Sequence, residues 1–208
     1  MSRLVVATTN RGKLKEIGKL LEGIPVTLLS LADFSSFPEV DEDGDTFEAN
    51  AVKKALSAAR ATGLPALADD SGLLVDALGG LPGVRSARFA GELASDAENN
   101  EKLLRELAGI PGEARRAAFH CVIALCCPDG SCHTFRGELP GLVIDSPRGS
   151  EGFGYDPLFL VPAYDKTLAE LSLEVKNAIS HRGKALVALK NYLVKHGDVL
   201  EKSLQGIS

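Results

Sequence analysis

Two adjacent carboxylates, Asp69 and Asp70, stand between the apolar runs Pro65-Ala-Leu-Ala68 and Leu73-Leu-Val75, with Ser71 and Gly72 between the acids and the second run. The flanking runs read as buried strand, so the acids fall where a core strand ends or kinks. Like charges buried together are costly unless a cation or a proton compensates them. The stretch is therefore either the seat of a bound metal or a perturbed acid, or a strand-end turn whose acids are solvated. A second polar group, Thr8-Thr-Asn-Arg-Gly-Lys13, separates the apolar run Leu4-Val-Val-Ala7 from a helical pattern with Leu14, Ile17 and Leu21 on one face. Strand, glycine-containing turn and helix present backbone N–H groups to an anion, and Lys13 adds a full charge. The G-x-x-x-x-G-K-[ST] spacing of a Walker A loop is absent.

Three further stretches carry candidate chemistry. Pro38-Glu-Val-Asp-Glu-Asp-Gly-Asp45 holds five acids in eight residues and reads mostly as a solvated loop. Gly149-Ser-Glu-Gly-Phe-Gly-Tyr-Asp156 sets Phe153 between glycines, where its ring is either a stacking platform for a base or a buried tether. Lys176-Asn-Ala-Ile-Ser-His-Arg182 gathers Lys176, His181 and Arg182 within one or two helical turns, as converging donors or as a solvated basic face.

Regular elements must hold these groups. A helix is expected from about Thr46 to Thr62, stopped by Gly63, and it puts Asn50 and Lys54 on one face, toward a cleft or toward solvent. Val26-Thr-Leu-Leu29 reads as a strand, and Ser95-Asp-Ala-Glu98 as a capping box opening a helix through Leu107. Thr167-Leu-Ala-Glu170 is a second capping box, and a last helix is expected to end near His196-Gly197. Ala117 to Cys127 and Cys132 to Leu139 read as a hairpin turning at Pro128-Asp129-Gly130, and Leu142-Val-Ile144 as a separate short strand. Strands and helices alternate early and a hairpin intervenes later, which implies a mixed α/β sheet. The four cysteines, Cys121, Cys126, Cys127 and Cys132, contain no C-x-x-C pair and read as buried free thiols rather than zinc ligands.

The whole chain bounds these readings. Its 208 residues make a single domain, 1–208, the default. With 45% hydrophobic and 25% charged residues the composition is that of a soluble globular protein. A net charge of −5 gives no general attraction for nucleic acid or anionic membrane, so a polyanionic substrate must be held by local cations. No apolar run reaches the ~20 residues of a membrane span, and the N-terminal run is too short for a signal peptide, so a cytoplasmic location is expected.

In their order along the chain the motifs resemble a known family. Thr8-Thr-Asn-Arg-Gly-Lys13, Phe47-Glu-Ala-Asn-Ala51, Ala68-Asp-Asp-Ser-Gly72, Leu78-Gly-Gly-Leu-Pro-Gly83, Phe119-His-Cys121, Gly152-Phe-Gly-Tyr-Asp156 and Ser180-His-Arg182 resemble the inosine triphosphate pyrophosphatases, from residue 4 to about residue 193. Thr8-Thr9 stands where many bacterial members have Thr-Gly. The resemblance implies an elongated α/β fold with two lobes, a central twisted mixed sheet flanked by helices, and an active-site cleft between the lobes. It implies a homodimer, dependence on Mg²⁺, and hydrolysis of ITP, dITP and XTP to monophosphate and pyrophosphate, which cleanses the nucleotide pool. It makes Glu42 and Asp70 the metal carboxylates and Asp70 the base for the attacking water. The substrate would meet Thr8, Thr9, Asn10, Arg11, Gly12 and Lys13 on the first turn. Lys54, Ser71 and Lys176 are expected at the phosphates, and Phe153, Gly154, Tyr155, Asp156, Ser180, His181 and Arg182 around the base. Hypoxanthine and xanthine present an acceptor at O6 and a donor at N1, so a cationic donor with Asp156 as acceptor favours them over adenine. The role of Asp69 stays open between a partner of the site and a structural acid. Two rival expectations are a pyrophosphatase for modified or pyrimidine triphosphates and a non-catalytic nucleotide-binding module.

Overall fold

The computed structural model describes residues 2–34, 37 and 40–196; Pro38, Glu39 and Gly197 lie outside the described residues. Among the described residues seven strands form one mixed sheet in the order β2-β1-β3-β4-β5-β6-β7. They are β1 (Ser2–Val6), β2 (Val26–Ser30), β3 (Ala66–Val75), β4 (Arg116–Cys126), β5 (Cys132–Val143), β6 (Phe159–Val161) and β7 (Lys166–Thr167). The helices are α1 (Arg11–Leu20), α2 (Phe47–Thr62), α3 (Asp96–Glu106), α4 (Leu173–Ile179) and α5 (His181–Lys195). β1 runs parallel to both neighbours, pairing Leu4 with Leu28 and Val6 with Leu67. β6 is antiparallel to β5 and to β7.

The chain divides into two compact units. Unit 1 comprises 1–70, 121–136 and 182–208, and unit 2 comprises 71–120 and 137–181. In unit 1, Leu4, Val6 and Leu67 of the sheet pack with Ile17 and Leu21 of the first helical segment and with Leu186 and Leu189 of α5. A second core in that unit sets Ala51, Ala55, Ala58 and Ala59 of α2 against Val5, Ala66, Ala68 and Ala124. Small side chains on α2 let its backbone lie close to the sheet. In unit 2, Leu73 and Val75 pack with Leu103 and Leu107, Phe119, Leu139, Tyr155 and Phe159.

Several local expectations hold. α2 starts at the cap Thr46, whose side chain accepts from the Ala49 N–H, and ends on Gly63 at φ +66°. Ser95 and Glu98 form the predicted capping box on α3. Thr167 and Glu170 form theirs on a single 3-10 turn rather than on an α-helix.

Four expectations need correction. β3 neither ends nor kinks at the acids but continues through Asp69-Asp70-Ser71 for ten residues. It can do so because cations from neighbouring helices face both carboxylates, as described below. Leu142-Val143 is the end of β5 rather than a separate strand. Cys126 and Cys132, expected as free thiols, are joined in a disulfide across the hairpin, while Cys121 and Cys127 are free and buried. The two strand ends bring their Cα atoms to 4.2 Å, close enough for the bridge. The last helical stretch is two helices that break at Ser180, which is in extended conformation.

β5 and β6 approach each other closely at Gly141. A Cβ there would lie 2.5 Å from the Leu160 carbonyl oxygen and 2.6 Å from the Phe159 ring. Backbone and a fully buried ring cannot both yield, so Gly141→Ala is expected to destabilise by about 1–3 kcal/mol or more. Thermal unfolding should show a fall of about 2–12 °C; an unchanged midpoint would mean that the β5–β6 contact is not as tight as described.

Candidate active site

The acids on β3 are buried, Asp69 at 2% and Asp70 at 5% exposure, and they face different partners. Asp69 Oδ2 pairs with Lys13 Nζ at 3.1 Å and accepts from Arg182 Nε and Nη2 at 3.2 and 3.1 Å. Arg182 in turn donates from Nη1 to Glu16 of α1. Lys13 and Glu16 come from α1 and Arg182 from α5, so two helices supply the groups that make Asp69 tolerable inside the sheet. Burial alone would raise the Asp69 pKa, but Lys13, Arg182 and Lys54 together outweigh it and hold the carboxyl well below the usual carboxylate range. The same acids keep Arg182 firmly protonated against its burial. Cys121, packed in this neighbourhood, is pushed up to about 12 by burial and by Asp69, so it is an inert thiol.

Asp70 is the contrasting acid. Its Oδ1 lies 3.6 Å from Lys54 Nζ, which also holds Glu42 at 3.1 Å. Its Oδ2 accepts from Asn50 Nδ2 at 3.0 Å. Burial raises the Asp70 pKa and the nearby Glu42 carboxylate adds to it; Lys54, Lys13 and the Asn50 hydrogen bond only partly oppose this. Neighbouring carboxylates of one strand thus diverge, one held as an anion and one inclined toward a proton. Lys54 itself is raised despite burial, because Asp70, Asp69 and Glu42 surround it.

Asn50 and Lys54 therefore both face Asp70, which decides between the cleft and solvent readings of that helix face. Asn50 is fully buried and its Oδ1 also accepts from the Gly44 N–H at 2.8 Å. It ties the acidic segment to β3, and Lys54 does the same through Glu42. Among the described residues no group of three or more His, Cys, Asp or Glu is gathered for a metal. Glu42 and Asp70, converging on one ammonium, are the sparse carboxylate set that Mg²⁺ takes when phosphate oxygens and water complete its shell. These two residues fit that ion.

The first turn lies at the start of α1. Thr8 Oγ1 accepts from the Asn10 N–H, and Asn10 Oδ1 accepts from the Lys13 N–H as the helix cap. Thr9, Asn10 and Arg11 are exposed, and Thr8, Gly12 and Lys13 are half-buried.

A separate constellation sits in unit 2. Lys176 and Asp156 are both 3% exposed and pair at 2.7 Å. Lys176 Nζ lies 4.8 Å from the centroid of the half-buried Phe153 ring, and Asp156 Oδ2 also accepts from the Phe153 N–H at 3.0 Å. Gly152 has φ +83°, and a Cβ there would collide with the Asp156 carboxylate and crowd Lys176 Nζ. The glycine before Phe153 is thus a requirement of the ion pair. Tyr155 is buried and donates to the Ser86 carbonyl at 2.8 Å, and burial raises its pKa. His181 stacks on Phe119, with centroids 4.7 Å apart and planes 9° from parallel. Ser180, His181 and Arg182 are 1%, 4% and 2% exposed, so none belongs to a solvated basic face. Ser71, the strand residue after Asp70, is half-buried, and Gly154 has φ +62°.

These placements regroup two expected residues. Lys176, expected at the phosphates, is bonded to Asp156 beside Phe153. Arg182, expected with Asp156 at the base, is bonded to Glu16 and Asp69. Three residues escaped sequence reasoning as members of these groups: Glu16, Phe119 as the ring under His181, and Asn50 as an Asp70 partner. Glu16 stands three residues after Lys13 on α1, a helical spacing that could have paired them. Its bond to Arg182 spans 166 residues and left no local trace.

Comparison with known proteins adds the family. The model of the Ham1 family matches residues 4–192. A dITP/XTP pyrophosphatase of Geobacter sulfurreducens is 65% identical over 193 residues, covering 93% of this chain and 97% of that protein. One from Desulforamulus reducens is 54% identical, covering 95% of this chain and all of that protein. The solved structure of a HAM1 protein from Coxiella burnetii superposes with a TM-score of 0.87 at 45% identity, covering 94% of this chain and 100% of that one. A family model matching residues 4–192, relatives matched nearly end to end and a shared fold lead to one conclusion: this chain belongs to the Ham1 family.

Proposed function

We propose that this chain hydrolyses deaminated purine nucleoside triphosphates, dITP, XTP and ITP, to the monophosphate and pyrophosphate, with Mg²⁺. The observation that carries the reading is the divergence of two adjacent buried acids. Asp69 is neutralised by Lys13 and Arg182, while Asp70, with its raised pKa, shares Lys54 with Glu42. The names of the relatives, dITP/XTP pyrophosphatase, support the substrate class. A cytoplasmic place and a homodimer belong to the same proposal. No helix among the described residues is long and apolar enough to cross a membrane.

In this reading Asn10, Lys13 and Lys54, with the backbone N–H groups at the start of α1, bind and orient the phosphates. Glu42 and Asp70 would hold the ion, which would supply charge neutralisation for the leaving pyrophosphate. Asp70 takes a proton from water as that water adds to the α phosphorus. The α–β anhydride bond breaks, and the pyrophosphate leaves with its electron pair. Ser71 donates a hydrogen bond near the phosphates. Phe153 stacks on the base, Tyr155 and Gly154 shape its wall, and Asp156 is the acceptor that favours a keto purine. His181 and Ser180 lie in the buried segment that leads to Arg182. Lys176, bonded to Asp156 beside the Phe153 ring, serves as a donor at the base rather than as a phosphate cation.

A panel of triphosphates with Mg²⁺, scored separately for pyrophosphate and orthophosphate, tests the reading. ITP, dITP and XTP should give pyrophosphate far faster than ATP or pyrimidine triphosphates; orthophosphate as first product from ITP would overturn it. Asp70→Asn keeps the shape and should lose about 10²–10⁴-fold in turnover while remaining folded.

Arg182 has two possible tasks, because its observed partners are Glu16 and Asp69. If it also donates to O6, Arg182→Ala should lower kcat/KM for ITP by about ten- to a hundredfold and spare ATP, so the ITP/ATP ratio falls. If it only joins the two acids, both substrates decline together. In either case removal of the cation leaves two buried carboxylates, expected to cost about 3–5 kcal/mol, which thermal unfolding reads independently.

A further inference from the structure

Phe153 is flanked by Gly152 and Gly154, both at positive φ, and a glycine backbone has more conformational freedom to lose than that of any other residue. A stacking ring on such a backbone is useful only if something outside the loop holds it. The first turns of α3 do this. The Gly154 N–H donates to Asp96 Oδ2 at 2.7 Å, and the Gly154 carbonyl accepts from Asn100 Nδ2 at 3.0 Å. Asp96 and Asn100 are four apart and share one face of the helix. Both polar groups of the residue next to Phe153 are therefore fixed by one rigid element.

α3 is itself anchored. Asn99 accepts from the Ala90 N–H at 2.8 Å and donates to the Ala87 carbonyl at 3.1 Å. Tyr155 ties the far side of Gly154 to the Ser86 carbonyl, and Ser86 Oγ accepts from the Leu73 N–H of β3 at 2.9 Å. The glycine beside Phe153 is thus held between a helix and a chain of bonds that ends on the strand carrying the acids. All of these residues belong to unit 2.

We propose that Asp96 and Asn100 are positioning residues that set the Phe153 ring in place for the purine, so that affinity for the base depends on α3. The proposal rests on the stacking role of Phe153 given above. The Phe153–Gly154 peptide carries the N–H that Asp96 holds; fixing that peptide fixes the backbone torsion that aims the ring. Preorganisation of this kind raises affinity by removing an ordering cost on binding.

The experiment compares Asp96→Ala/Asn100→Ala, Asp96→Asn and Phe153→Ala with the unaltered chain. The readouts are kcat and KM for ITP, Ki for inorganic pyrophosphate, and the unfolding midpoint. The Ala pair is expected to raise KM about tenfold, leave kcat within about twofold, and leave the pyrophosphate Ki unchanged. Asp96→Asn keeps an acceptor oxygen and should restore most of the loss. If Phe153→Ala raises KM and the Ala pair does not, the positioning role is overturned. A parallel rise in KM and in the pyrophosphate Ki would also overturn it, since that marks general loosening. If Phe153→Ala itself leaves KM unchanged, the stacking reading fails and the proposal with it. Should the Ala pair not fold, Asn100→Ala alone carries the same comparison with about half the effect on a logarithmic scale.

Discussion

A pair of acids in the interior of a β-strand can exist only if cations are brought to it from elsewhere, and that requirement organises unit 1. Asp69 draws Lys13 from α1 and Arg182 from α5, and Asp70 draws Lys54 from α2. Each of these helices also packs an apolar face on the sheet, through Ile17, through Leu186 and Leu189, and through Ala51, Ala55 and Ala58. Hydrophobic burial fixes where the helices lie, and that placement decides which charge reaches which acid. Removing any one cation would take from a buried carboxylate part of the charge that compensates its burial. The polar arrangement and the apolar core are therefore one construction.

The two acids also show how position changes the chemistry of identical side chains. Successive strand residues point to opposite faces of a sheet. Asp69 meets two cations on its face, whereas Asp70 meets one lysine that it shares with Glu42. The environments separate the pair into a permanent anion and an acid with a raised pKa, the arrangement that divides structural and proton-transfer duties elsewhere in enzymes.

Much of this was legible in the sequence because it is local. Thr46 and Gly63 mark the ends of α2, Ser95 and Glu98 open α3, and period and spacing put Asn50 and Lys54 on one face. The alternation of strands and helices gave the mixed sheet. The strand through Asp69-Asp70 was misread as ending, because the cations that permit it come from residues 13, 54 and 182, and no local pattern announces them. Likewise the Cys126–Cys132 bridge depends on two strand ends meeting, and the spacing of the four cysteines does not announce it. The partners of Asp69 are equally remote in sequence. The regrouping of Lys176 and Arg182 has the same origin. Both were read as donors from a short basic run, and only tertiary placement separates the one paired with Asp156 from the one paired with Glu16.

The break at Ser180 makes the first residues of α5 intolerant of any change in chain length. His181 lies flat on Phe119 while Arg182, the next residue, reaches Glu16 and Asp69. Adjacent helical side chains diverge by about 100°, so the two obligations are met by rotation alone. Adding one residue at the break would turn the helix by that angle and carry the imidazole toward the two carboxylates and the guanidinium past them, whereas deleting one would bring the guanidinium to the aromatic face. Substitutions at this point can be graded, but an insertion cannot. Over evolutionary time the junction should therefore record changes of residue rather than of count.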